Sequence, residues 1–127
     1  MQSFPGWDGH RAAGSGPLDA LPDEIPEEEH RMKYVTLYRF TEQGAKSIGD
    51  TVTRARQAVA AAEKAGGKIS TLVWTQGQYD LVAIADWPDE SSAMAFLMTL
   101  GKAGNVRTET LRAFTSDEME SILKKVP

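Results

Sequence analysis

The chain has 127 residues, 41% of them hydrophobic and 25% charged, with a formal charge of −4 and no cysteine. That length supports one compact domain burying roughly two-thirds of the surface its unfolded chain exposes, so folding requires neither a disulfide nor a metal. The lack of cysteine excludes disulfides, thiolate zinc sites, iron–sulfur clusters and thiol nucleophiles, and no apolar run reaches the about 18 residues of a membrane-spanning helix. Nor does Met1 to Gly6 carry the basic and apolar pattern of a secretory signal, so the expected location is cytoplasmic.

The charge is unevenly distributed. Residues 1–31 hold seven acids (Asp8, Asp19, Asp23, Glu24, Glu27, Glu28, Glu29) against Arg11 and Arg31, whereas the rest of the chain is nearly neutral. The same segment has four of the six prolines and both histidines, with its apolar residues too scattered to form a face. Such a stretch cannot bury enough surface to offset its conformational entropy. Residues 1–31 therefore read as a disordered acidic tail or as an extension upstream of a start at Met32. Docking of Phe4 and Trp7 on a partner is a third reading. Residues 32–127 read as the folded domain.

From Met32 onward the hydrophobic period alternates between two and 3.6. Lys33 to Phe40 is rich in β-branched and aromatic residues and predicts a strand, with Val35 and Leu37 on one face and Tyr34, Thr36, Tyr38 and Phe40 on the other. Ile48, Val52, Ala55, Val59 and Ala62 follow at helical spacing, with Gly44 and Gly49 weakening the beginning so that the helix is expected to start or bend near Asp50, and Gly66-Gly67 closing it. Two strands, Lys68 to Gln76 and Tyr79 to Trp87, are predicted around Gly77-Gln78, where glycine in the first turn position suits a type II′ hairpin. This register opposes Trp74 to Leu81 and puts Leu72, Trp74, Tyr79, Leu81, Ala83 and Ala85 on one face. Val73, Val82 and Ile84 share the other with Asp80 and Asp86. Asp89 caps a second helix with the stripe Ala93, Phe96, Leu97 and Leu100. Asn105 to Phe114 is the last strand, and Thr115 to Glu118 forms a capping box that opens a final helix presenting Met119, Ile122 and Leu123.

The order βαββαβ with an extra C-terminal helix predicts an α+β, ferredoxin-like fold, two helices covering one face of a four-stranded antiparallel sheet. Both faces contain large apolar groups, and soluble monomers avoid leaving such a face exposed. A sheet-to-sheet homodimer, or a higher homo-oligomer, is therefore expected.

The blocks Lys33 to Thr41, Ala62 to Lys68, Trp74 to Asp80 and Gly104 to Thr115, in that order, resemble the GYD-domain family of small bacterial proteins. Gly77, Tyr79 and Asp80 match the motif that names the family once Gln78 between them is allowed. The resemblance runs from Met32 to the C-terminus. It implies a relation to the dimeric α+β barrels and carries no established activity with it.

Candidate site residues follow from chemistry and spacing. Tyr34, Thr36 and Tyr38 alternate along one strand and so share a face. Arg112, on the face of Thr108 and Thr110, would hold a carboxylate by its fork geometry in an interior lined by Tyr34 and Tyr38. Trp74 and Tyr79 complete a ligand-binding set, although Trp74 equally suits core or interface. Asp80 beside Tyr79 reads either as part of a turn or as a proton acceptor. Arg107 and Glu109 read as a mutual or cross-dimer ion pair. His10 and His30 both lie in the acidic segment, leaving the domain without histidine or cysteine for nucleophilic catalysis. Asp80, Asp86 and Glu109 lack metal-ligand spacing, and phosphate-loop and dinucleotide fingerprints are absent, so no metal or cofactor is expected. The near-neutral domain also lacks the aromatic and basic signature of an RNA-binding sheet. No nucleic-acid or membrane partner is therefore expected. Two classes survive: an oligomeric domain binding a small organic molecule, an acid among the candidates, in a pocket between the sheet faces, or a cofactor-free enzyme. The enzyme would perform proton transfer or oxygenation with Asp80, Tyr38 and Arg112.

Overall fold

Residues 31–127 are described by the computed structural model of the chain. The readings made for the acidic segment lie outside the described residues, apart from Arg31. Strand β1 (Met32–Phe40) leads through a short helix α1 (Glu42–Lys46) and a single 3₁₀ turn (Ile48–Asp50) to α2 (Thr51–Lys64). Then come β2 (Lys68–Trp74), β3 (Leu81–Trp87), α3 (Glu90–Ala103), β4 (Val106–Ala113) and α4 (Ser116–Leu123). The four strands form one antiparallel sheet in the order β2-β3-β1-β4. This is the expected ferredoxin-like arrangement, with β2 and β4 as its edges.

Between β1 and β2 the main helix begins near Asp50, as the glycines predict, and a separate short helix precedes it. Thr41 caps α1 by accepting the Gly44 N–H, and Ser47 interrupts the spiral before the 3₁₀ turn. Arg54, one turn into α2, donates to the Ser47 carbonyl at 2.9 Å and the Gly44 carbonyl at 3.3 Å, satisfying carbonyls that the break exposes. Ile48 and Val52, the first two positions of the predicted stripe, are exposed as a result, whereas Ala62 near its end is fully buried. The remaining ends follow the sequence signals. Asp89 accepts the Ser92 N–H at 2.7 Å, Gly104 ends α3 at φ 88°, and the Thr115–Glu118 capping box is complete.

Helices α2 and α3 cover the face bearing Tyr34, Thr36, Tyr38, Leu81, Ala83, Ala85 and Trp87. Alanines at 62, 83, 85 and 93 let backbone layers approach, and Trp87 and Phe96 fill the space at a ring separation of 5.2 Å. A one-residue irregularity between Ile69 and Thr71 shifts β2 against β3, which returns Leu72 and Trp74 to the covered face and Thr71 and Val73 to the other. Among the described residues no helix covers the second face of the sheet. Val35, Leu37, Val82 and Ile84 occupy its middle, with Val73 and Leu111 about half exposed at the edges. Lys33 pairs with Asp86 at 3.0 Å at one end of this face. No helix among the described residues is long and apolar enough to cross a membrane.

Gly44 shows how tightly α1 is seated on the start of β4. A Cβ there would sit 2.1 Å from the Asn105 carbonyl oxygen, which itself accepts the Thr41 N–H at 3.1 Å. Gly44→Ala is accordingly expected to destabilise the domain by about 1–3 kcal/mol, the usual cost of overpacking, as measured by urea denaturation. A neutral result would show that α1 is free to shift.

Candidate functional site

The residues that alternate along β1 meet α3 across a small cavity. Tyr34, Thr36 and Tyr38 line it from β1 and Thr110 from β4, while Ala93, Phe96 and Leu97 close it from above. The Thr36 and Thr110 hydroxyls are 3.2 Å apart, directly opposite in the strand register. Tyr38 is 7% exposed, and among the described residues no group hydrogen-bonds its hydroxyl. Burial raises its pKa from 10.0 to about 12, so the phenol stays protonated. The cavity volume is about 10 Å³, room for one water. The pocket expected between two sheet faces is thus corrected: Tyr34, Thr36 and Tyr38 face the helices, because Val35 and Leu37 take the opposite side of the pleat.

Asp80 does different work from that of an acid–base group. Its N–H donates to the Tyr38 carbonyl at 2.8 Å, and its carboxylate accepts the Phe40 N–H at 2.8 Å. The Tyr79 carbonyl is taken by the Thr75 hydroxyl at 2.6 Å, so the Asp80 side chain supplies the acceptor that the end of β1 needs. The connection is wider than the predicted two-residue turn. Residues 75–80 lie outside both strands, the Thr75 N–H meets the Asp80 carbonyl at 2.9 Å, and Gly77 takes a φ of 110°. The motif Gly77-Gln78-Tyr79-Asp80 is therefore a lock joining the hairpin to β1.

The remaining candidates are dispersed. Tyr79 precedes β3 and turns to the uncovered face, where its hydroxyl donates to Glu109 at 2.8 Å and Arg39 lies over its ring at 4.8 Å. That hydrogen bond raises the Tyr79 pKa. It also replaces the expected Arg107–Glu109 pair, and Arg107 stands opposite Arg39. Arg112 is on the covered face as predicted. Its guanidinium donates to the Lys33 carbonyl at 3.3 Å and to the Ala113 carbonyl, and lies over Phe114 at 4.6 Å and Tyr34 at 5.7 Å. Thr108 pairs in register with Tyr38, and neither it nor Arg112 lines the cavity. Register also separates the proposed catalytic set: Arg112 opposes Tyr34, while Tyr38 and Asp80 lie four residues further along β1, about 13 Å away. The structure does not bring Asp80, Tyr38 and Arg112 together.

Trp74 belongs to a second concavity. Its indole N–H donates to the Thr51 hydroxyl at 3.1 Å, and it lines an open groove of about 300 Å³ with Val52, Ala55, Arg56, Val59 and Leu72. The groove runs between α2 and edge strand β2. Sequence reasoning placed Val52, Ala55 and Val59 on a buried stripe and missed the groove, because period alone does not tell how far a helix stands from the sheet edge. Phe96 and Leu97, read only as core, proved to be the roof of the cavity, for which the sequence holds no separate signal. Among the described residues no group of three or more His, Asp and Glu side chains is placed to hold a metal ion.

The sequence pattern of the GYD domain matches residues 34–123. No curated protein matches the chain. Among solved structures, that of MtbAldR is similar with a TM-score of 0.54 and 11% identity, covering 84% of this chain and 68% of that one. At such identity the likeness concerns the fold.

Two measurements test these assignments. Asp80→Ala leaves the Phe40 N–H without its acceptor and should cost about 1–3 kcal/mol in urea denaturation, with Asp80→Asn costing less because an amide oxygen can still accept. An unchanged midpoint for Asp80→Ala would remove the lock. In alkaline titration, the unfolded chain releases the Tyr38 proton from about pH 10 while the folded chain holds it to about pH 12. Stability should therefore fall across that window by up to about 1.4 kcal/mol per pH unit, and a phenolate band complete by pH 11 without unfolding would contradict the burial.

Proposed function

The chain belongs to the GYD-domain family, and from that premise and the geometry above we propose that it acts as a homodimeric binding domain for a small organic molecule. The observation that carries this reading is the buried Tyr38 hydroxyl, which has no hydrogen-bonding partner among the described residues and borders a cavity with the Thr36–Thr110 pair. A buried hydroxyl without an acceptor costs about 1–3 kcal/mol, which a structural core would recover by using phenylalanine. A water satisfies it in the closed form, and a ligand carbonyl or carboxylate oxygen satisfies it in the occupied form. Admission of a ligand requires Phe96 and Leu97 on α3 to move outward, since small-molecule pockets start at about 300 Å³. Binding is favoured over catalysis because Tyr38 holds its proton and the Asp80 carboxylate is committed to the β1 backbone.

The uncovered sheet face supports the dimer. Its centre is aliphatic, and its ends carry Lys33 with Asp86 and Arg39 with Tyr79 and Glu109, the apolar core and polar rim of a protein interface. A two-fold axis between the sheets and along the strands brings β4 of each copy beside β2 of the other.

Native mass spectrometry of protein purified directly from its host should find a dimer carrying a small-molecule mass, with that mass lost in Tyr38→Phe. A dimer without added mass, together with a Tyr38→Phe variant more stable than the parent, would turn the reading toward a structural role. Leu111→Glu places a charge on the uncovered face and should yield a folded monomer in sedimentation at micromolar concentration. Persistence of the dimer would move the interface elsewhere.

A further inference from the structure

We propose that the groove between α2 and β2 is a binding site for a small carboxylic acid with an aromatic or branched apolar body, separate from the cavity at Tyr38. Val52 and Trp74 are each 43% exposed along it, and Ala55, Val59 and Leu72 complete its apolar walls. The indole N–H of Trp74 is spent on the Thr51 hydroxyl at 3.1 Å. That bond fixes the ring and leaves only its face for an occupant, so the largest wall is already in place. At about 300 Å³, the groove is at the lower limit of small-molecule sites. It therefore suits one ring or a short branched chain rather than a long acyl chain.

The remaining lining residue sets the charge of the occupant. Arg56 makes no hydrogen bond or ion pair among the described residues, whereas Arg54, two positions earlier, is held by the Ser47 and Gly44 carbonyls. The neighbours of Arg56 one turn away on α2 are Val52, Thr53, Val59 and Ala60, none of them acidic. Strand β2 supplies no acid either: α2 and β2 together carry Arg54, Arg56, Lys64 and Lys68 against Glu63 alone. Glu63 lies two turns beyond Arg56, about 10 Å along the helix axis, and does not line the groove. A cation with apolar groups on both sides and no counter-charge beside it complements an anion with an apolar body. Its guanidinium fork takes two oxygens at once, which favours a carboxylate over a neutral acceptor.

The spacing is also that of a short acid. Val52 precedes Arg56 by one turn and Val59 follows it by one, which puts the valines about 6 Å and about 4.5 Å from it along the axis. A carboxylate held at Arg56 thus brings a body two or three bonds away against the valines and the Trp74 ring. The cavity beneath α3 differs in each respect: no charged group lines it, and Phe96 and Leu97 close it. The groove stands open as it is.

Phenylacetate is the probe, with phenylacetamide as its neutral counterpart of nearly the same shape. In nitrogen–proton correlation spectra of the full-length chain, the Trp74 indole signal, identified by its loss in Trp74→Phe, should shift and saturate with millimolar phenylacetate. Phenylacetamide should bind about threefold to fivefold more weakly, the worth of one solvent-exposed ion pair. Arg56→Gln should abolish that preference and leave the affinity for phenylacetamide unchanged, which separates the effect of charge from any effect on folding. Equal affinity of acid and amide for the parent, or a preference that survives Arg56→Gln, overturns the assignment of an acid. A Trp74 signal that moves with protein concentration alone shows the groove covered by a second copy and overturns the site, as does the absence of a saturable shift. Shifts confined to residues around Tyr38 overturn it too, while favouring the pocket proposed above.

Discussion

The sheet has apolar side chains on both faces, and α2 and α3 are enough to cover one. Everything else in the domain is arranged around that imbalance. On the covered face, the alanines at 62, 83, 85 and 93 let the helices settle close to the strands, so the core is thin and its bulk comes from Trp87, Phe96, Tyr34 and Tyr38. Among the described residues no large side chain is under 2% exposed, which agrees with a layer whose second side they do not close. Burial that one chain leaves incomplete becomes available to association, because the hydrophobic effect scales with apolar area removed from water irrespective of which chain supplies the cover.

The polar groups on the covered face follow a different logic. Thr36 and Thr110 satisfy each other, and Arg112 settles over two aromatic rings with its protons directed to backbone carbonyls. Tyr38 alone has a buried hydroxyl without a partner among the described residues. Such a group is costly in a low-dielectric interior, which distinguishes it from the other aromatic residues and makes the cavity beneath α3 more than a packing defect. Asp80 is an instructive contrast. It has the charge expected of a catalytic group, yet both its N–H and its carboxylate are spent in fixing the hairpin to β1. Its chemistry is that of a backbone substitute.

Much of this was legible in the residues. Alternation along β1 placed Tyr34, Thr36 and Tyr38 on one face and Val35 and Leu37 on the other, and the Trp74–Leu81 register followed from Gly77. The Asp89 cap and the Thr115 capping box were readable because each depends on contacts within one turn. Errors arose where a longer-range partner decided the outcome. Gly44 and Gly49 had placed the start of the helix ending at Lys64 near Asp50, and it begins at Thr51; the separate α1 before it was not foreseen, since Arg54 holds the break at Ser47 from a turn away. Tyr79 changed faces because the hairpin opened to six residues outside both strands, which released it from the pleat.

By itself, the sequence determined the order of elements, the two apolar faces and a described domain without histidine or cysteine, since these depend on residue type and local period. Only the tertiary structure decided which residues meet. It put Asp80 at the end of β1, Arg112 about four residues away along the sheet, the hydroxyls under α3 and Trp74 in a groove at the edge. Strand order and helix stand-off set those distances, and neither is written in the spacing of residues along a single element.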